Sequence, residues 1–209
     1  ATGSDAAKHV WGQWWVHRSI VLFGTIPFEL DINNFPEGGP FFCLDTANAI
    51  LSLPLRLVFH PVLSFNVLIL LHMFASGLSA WYFCLQLTKD DKSAVLAGVA
   101  FACAPFALSH GLSSGVSEGV FLFPMPLILL CMLRMATRTS WKYPVIGAVL
   151  LIIQGLGSWH YAILAGIFTF TCGAIVVLSK RRFPVWIVEQ ELQPGLMKRV
   201  LLFVVILLP

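Results

Sequence analysis

Charge is scarce in this chain. Only 11% of its 209 residues are Asp, Glu, Lys or Arg, less than half of the roughly 25% found in soluble domains. With 58% hydrophobic residues and a mean hydropathy of +0.85, that scarcity excludes an ordinary soluble domain and indicates an integral membrane protein. The positive residues form no basic surface interleaved with aromatics, so the net charge of +3 does not point to nucleic acid. Paired cysteines are absent too. Cys43, Cys84, Cys103, Cys131 and Cys172 stand alone, without a CxxC pair or zinc-like His spacing, and read as small apolar residues. No GxSxG, HExxH, P-loop or strand-to-helix GxGxxG occurs, nor an internal repeat, which removes the sequence signatures of those chemistries. There is no initiator Met and no signal-peptide pattern, and the chain stops at Pro209 just after the apolar run 200–208. It therefore reads as a piece of a longer protein, running from just after one membrane span to partway into another.

What is present is a series of apolar runs. A helix crossing the hydrocarbon layer needs about 20 residues, and five segments approach that length: 61–87, 93–109, 119–135, 143–157 and 161–179. The expected fold is all-α, a polytopic transmembrane bundle of about five spans plus the start of a sixth over 61–209. Residues 1–60 are expected to form an extracytoplasmic loop with interfacial helices. Cytoplasmic loops are enriched in Lys and Arg. On this reading Lys89, Lys92, Arg134, Arg138, Lys142, Lys180, Arg181, Arg182, Lys198 and Arg199 share one side, ten of the thirteen basic residues. The opposite side receives Asp5, Glu29, Asp31, Glu37, Asp45 and Glu118, with five of the six histidines; His72 lies within a span.

Residues 10–23 carry Trp11, Trp14 and Trp15 with His17 and Arg18, which suits a helix at headgroup level. The segment 33–40 reads as a turn-rich loop. Segment 41–58 is apolar but holds Asp45, Asn48, Pro54 and Arg56, favouring a second, partly buried helix over a span.

Five positions on the outer side could carry chemistry around Asp5. Asp5 and His9 are one helical turn apart and share a face; the plainer role for Asp5 or Ser4 is to cap the helix. His110 and Glu118 bracket a Gly- and Ser-rich loop. A carboxylate at the start of an apolar run asks for a partner, although it also suits a helix dipole. His160, between Trp159 and Tyr161, reads as ligand-binding or as an interfacial anchor. Arg56 is the outer cation best placed for a phosphate, its plainer role being to snorkel. His72 reads as a hydrogen-bonding residue between helices. The Gly111, Gly115 and Gly119 spacing is a weak helix-dimer signal.

The order of motifs is distinctive: Gly3-Ser4-Asp5, then His9-Val10-Trp11 and Gln13-Trp14-Trp15, then Asn34-Phe35-Pro36-Glu37-Gly38, then Leu53-Pro54-Leu55 before Asn66. Ala104-Pro105-Phe106 through His110 and Ser158-Trp159-His160-Tyr161-Ala162 follow. This pattern, over about residues 3–170, resembles the multi-spanning bacterial glycosyltransferases of the GT-C fold, in particular the group with an Asp-x-x-x-His-x-Trp-x-x-Trp-Trp start. The resemblance implies a span just before residue 1 and a long first external loop with an essential acidic residue, matched here by Asp5. It further implies transfer of a sugar from a polyprenyl-phosphate donor to a glycan, lipid or protein acceptor on the outer face of the cytoplasmic (inner) membrane. Asp5 would be the base, with His9, Arg56, His110, Glu118 and His160 as substrate-binding residues. Ala6 stands where many members carry a second acidic residue, which leaves a divalent metal cofactor open.

Two rival classes remain at this point. Pro105, Pro124 and Pro126 interrupt apolar runs, as in transporters and flippases, but no acidic residue sits at mid-span depth. A non-catalytic subunit of a membrane assembly, with membrane-protein partners, would also retain such a sequence.

Overall fold

The computed structural model describes residues 4–27, 29–30, 36–40, 45–178 and 195–207, and they are mostly helical. Eight α-helices follow in chain order among them: α1 Ser4–His17, α2 Thr46–Arg56, α3 Pro61–Thr88, α4 Asp91–Ala102, α5 Pro124–Thr137, α6 Lys142–Gly157, α7 Trp159–Leu178 and α8 Leu196–Leu207. A two-residue antiparallel pairing, Glu29 with Pro40 and Leu30 with Gly39, lies between α1 and α2. Cys43 and Cys172, and part of the expected 33–40 loop, lie outside the residues or side chains described. Cys84, Cys103 and Cys131 are free thiols.

Among the described residues two helical stretches, Pro61–Thr88 and Ser117–Thr137, are long and apolar enough to cross a membrane, and a third counts if Asp91–Ala102 and Ala107–Ser113 form one broken span. This corrects part of the expected pattern. The run 93–109 is not continuous: α4 ends at Ala102 and a π-helical turn resumes at Ala107, because Pro105 supplies no N–H. The run 143–157 becomes the 16-residue α6, roughly 24 Å at 1.5 Å per residue, short of a 30 Å hydrocarbon layer. α2, with 11 residues and one buried face, is a partly buried helix too short to span, as expected for 41–58.

The chain divides into two compact units, residues 1–72 with 105–120, and residues 73–104 with 121–209. In the first, α1 packs on α2. Ala6, His9, Gln13 and Val16 form its buried stripe, the i, i+3/i+4, i+7 spacing of one helix face. Two of these four are polar, so the face of α1 turned to the interior is not the simple apolar face of an interfacial helix. The α-helix stops at His17 and winds on as a π-helical turn, Arg18–Phe23, closed by Gly24 at φ 65°, a left-handed angle that glycine adopts without Cβ strain. α2 buries Asn48, Ala49 and Ser52, again one face. The start of α3 adds Ser64, Phe65, Leu68, Ile69 and His72.

In the second unit α3 and α4 approach closely through glycines. A Cβ on Gly98 would lie 2.8 Å from the Gly77 carbonyl oxygen and 3.0 Å from the Trp81 Cβ, the close backbone contact that small residues allow between membrane helices. The turn before α4 is fixed by Asp90, whose carboxylate accepts the Ser93 N–H at 2.8 Å. Elsewhere in this unit Met135, Ala148 and Phe203 form a buried cluster. Arg199 donates from Nε to the Met135 carbonyl at 2.9 Å, satisfying one of the carbonyls left open near the end of α5. Gln154 Nε2 donates to the Phe121 carbonyl at 2.9 Å, just before α5 begins.

Candidate functional site

The polar residues of the first unit converge on one carboxylate. Asp45 precedes α2, but its side chain makes no capping bond and turns inward, where it is 3% exposed. Its Oδ2 accepts from the Ser117 hydroxyl, from Asn48 Nδ2 at 3.3 Å and from His9 Nδ1 at 3.2 Å. Ser117 Oγ also lies 3.2 Å from His9 Nδ1. His9 is 5% exposed, while Asn48 and Ser117 are fully buried. A carboxylate in apolar surroundings is tolerated only with such partners, so this cluster joins α1, α2 and the 105–120 segment through one charge. His72, buried on α3, is within electrostatic reach of Asp45.

The protonation of His9 follows from these contacts. Burial is the largest effect and pulls its pKa down. The Asp45 hydrogen bond and charge, with the charge of Glu118, outweigh burial and the opposing Lys8, and the pKa ends above the ordinary 6.5. His17, at the other end of α1, moves the opposite way, because burial and the Arg56 charge both disfavour its protonated form.

The segment between Pro105 and Val120 is folded by its glycines. Gly115 has φ 72°, and a Cβ on Gly111 would fall 2.0 Å from Val120 Cγ1. A Cβ on Gly119 would meet His110 Cβ at 3.2 Å. Here the three glycines let the loop close on itself, with His110 beside the Ser117–Gly119 turn that carries Glu118.

Of the residues singled out from sequence, the structure joins His9 and Glu118 electrostatically and puts His110 beside the same turn. His110 is exposed, its ring 4.4 Å from that of Phe106. Asp5 is exposed near the start of α1, on the opposite side of the burial boundary from His9 although one turn away. Arg56 is half-buried in the last turn of α2. His160 belongs to the other unit, exposed at the start of α7 with its ring 3.8 Å from that of Trp159, an aromatic pair suited to a membrane interface. Sequence reasoning missed Ser117 and undervalued Asp45. An acidic residue inside an apolar run was the available signal for Asp45. Ser117 had none, being one serine of several in a polar loop and 108 positions from His9.

Among the described residues no group of three or more His, Cys, Asp or Glu side chains could hold a metal ion. Compared with known proteins, the chain matches no family model, no curated protein and no solved structure.

Proposed function

We propose that this chain is a multi-pass membrane glycosyltransferase of the GT-C type, moving a sugar from a polyprenyl-phosphate donor to an acceptor at the outer face of a bacterial inner membrane. The observation that carries this reading is an open carboxylate on a fixed helix. Asp5 is exposed on α1, while one turn on, His9 fastens the same helix to Asp45 and Ser117. A general base must reach the proton it removes, and an exposed carboxylate held in place meets that need. Asp45 does not, since it is buried and its Oδ2 already accepts three hydrogen bonds. In the transfer, Asp5 takes the acceptor hydroxyl proton as the acceptor oxygen bonds to the anomeric carbon. The bond from that carbon to the phosphate oxygen breaks, and polyprenyl phosphate leaves with the electron pair. The developing charge on the phosphate calls for cations or N–H donors. The order of motifs supports the same reading, as do the helices long enough to enter a membrane.

The break between α4 and the turn Ala107–Ser113 is the one observation that favours a transport protein instead. One experiment separates the two: incubation of membranes containing the full-length protein with radiolabelled polyprenyl-phosphate sugars. Wild type is expected to yield labelled glycan and Asp5→Asn at equal abundance to yield none; a product formed equally by both proteins would remove Asp5 as base.

A further inference from the structure

The seam between α1 and α2 holds shielded side-chain nitrogens without a hydrogen-bond partner among the described residues. Arg56 Nε and Nη1 and His17 Nε2 are each shielded from solvent and make no hydrogen bond among the described residues. The Arg56 charge acts on His17, so the two side chains share one electrostatic neighbourhood, and the helices that carry them pack together. Gln13 Nε2, one turn before His17 on the same face of α1, is likewise buried without a partner. A guanidinium with shielded N–H groups and no counter-charge is costly. Among the described residues no carboxylate is paired with Arg56, and planar guanidinium N–H groups match the oxygens of a phosphate.

Both chain segments continue past His17 and Arg56 as exposed apolar surface. After His17 and Arg18 come Ile20, Val21, Leu22 and Phe23; after Arg56 come Leu57, Val58 and Phe59, with Leu57 at 70% and Val58 at 76% exposure. Arg18 adds a further positive charge, its guanidinium 5.5 Å from the Trp14 ring centre and 4.9 Å from that of Phe23. Cationic side chains followed in the chain by exposed apolar residues are the complement of a phosphate that carries a hydrocarbon tail.

We infer that Arg56 and His17 form a phosphate-binding site at the α1–α2 seam, built for an anionic phosphate group. The inference deepens the proposed transfer, whose leaving group is such a phosphate, and it names His17 as a second donor. It is nevertheless tested by binding alone. Phosphate binding without sugar transfer would keep the site and remove the reaction.

The full-length protein in nanodiscs is heated with three probes: phosphatidylcholine alone, phosphatidylcholine with 20% phosphatidic acid (roughly a fifth, enough to saturate a specific site), and phosphatidylcholine with inorganic phosphate. The midpoint of unfolding is expected to rise with phosphatidic acid in wild type and to stay unmoved in Arg56→Met, with His17→Leu between them. Native mass spectrometry should show retained phosphatidic acid falling about tenfold or more in Arg56→Met, as expected for loss of charge-assisted hydrogen bonds. Arg56→Met in phosphatidylcholine alone should unfold no lower than wild type, because removing a guanidinium with shielded, unpaired Nε and Nη1 relieves a cost; this control separates lost binding from lost folding. A rise with inorganic phosphate as well would assign the site to soluble phosphate. An equal rise in wild type and Arg56→Met, or no rise with any probe, would overturn the inference.

Discussion

Replacing Asp45 tests whether one buried carboxylate fastens the first unit together. In Asp45→Asn the side chain keeps its shape and one oxygen acceptor but loses its charge. Three hydrogen bonds end on Oδ2, from His9, Asn48 and Ser117. A bond to a charged acceptor is worth about 1.5–3 kcal/mol and a neutral one about 0.5–1.5, so the change should cost about 1 kcal/mol per bond, or about 2–3 kcal/mol in all, since the Asn48 contact is long at 3.3 Å. Asp45→Ala goes further, removing the charged acceptor altogether and leaving His9 Nδ1 and the Ser117 hydroxyl only each other in a buried site. Breaking one side of a buried charged pair typically costs about 3–5 kcal/mol. Unfolding by sodium dodecyl sulfate in mixed micelles, followed by tryptophan fluorescence, should order the proteins wild type, Asp45→Asn, Asp45→Ala. In Asp45→Asn the His9 ring, read by NMR, should also titrate lower than in wild type, because burial would then be opposed only by the Glu118 charge. Asp45→Ala within about 1 kcal/mol of wild type, with His9 titrating unchanged, would refute the idea that this cluster holds the unit together.

Other expectations follow from the same contacts. The His9 pKa is raised above 6.5 in the folded protein, so its contribution to stability is fully present below about pH 6.5 and is lost as pH rises through the folded value; detergent unfolding of wild type should show that slope, and His9→Gln should flatten it. Gly98→Leu should destabilise by about 1–3 kcal/mol through overpacking, since even the Cβ would meet the Gly77 carbonyl at 2.8 Å; a neutral result in the same assay would deny the close α3–α4 contact. In a background without the native cysteines, Lys8→Cys and Lys92→Cys, both exposed, should react with an impermeant maleimide from opposite sides of the membrane; labelling of both from one side would reverse the topology derived from basic-residue bias.

Much of the helical outline was legible because hydropathy and helix signals act locally. The apolar run 61–87 became α3 almost residue for residue, since Pro61 suits a helix start and the run stays apolar to Leu87. The run 119–135 falls within Ser117–Thr137. Hydropathy failed where backbone geometry decided the outcome, as at Pro105, whose missing N–H is invisible to an average over a window. The buried stripe of α1 was not legible from sequence. Three tryptophans suggest an interfacial face, but Trp15 is buried and Trp11 is 38% exposed, and the helix is oriented by what His9 and Gln13 meet on other elements. The candidate site was legible only in part. Sequence spacing linked Asp5 with His9, a local relation, whereas the bonds that fix His9 come from positions 36 and 108 residues away. Such pairings are made by packing and leave no period in the sequence.

The central claim is that Asp5 serves as base in transfer from a polyprenyl-phosphate sugar, and the most direct measurement is release of polyprenyl phosphate by the purified full-length protein supplied with donor and acceptor. Acceptor-dependent release by wild type, abolished in Asp5→Asn while its detergent unfolding stays that of wild type, is the predicted result. Release that persists undiminished in Asp5→Asn would contradict the account, as would a wild-type protein that binds the donor and never cleaves it.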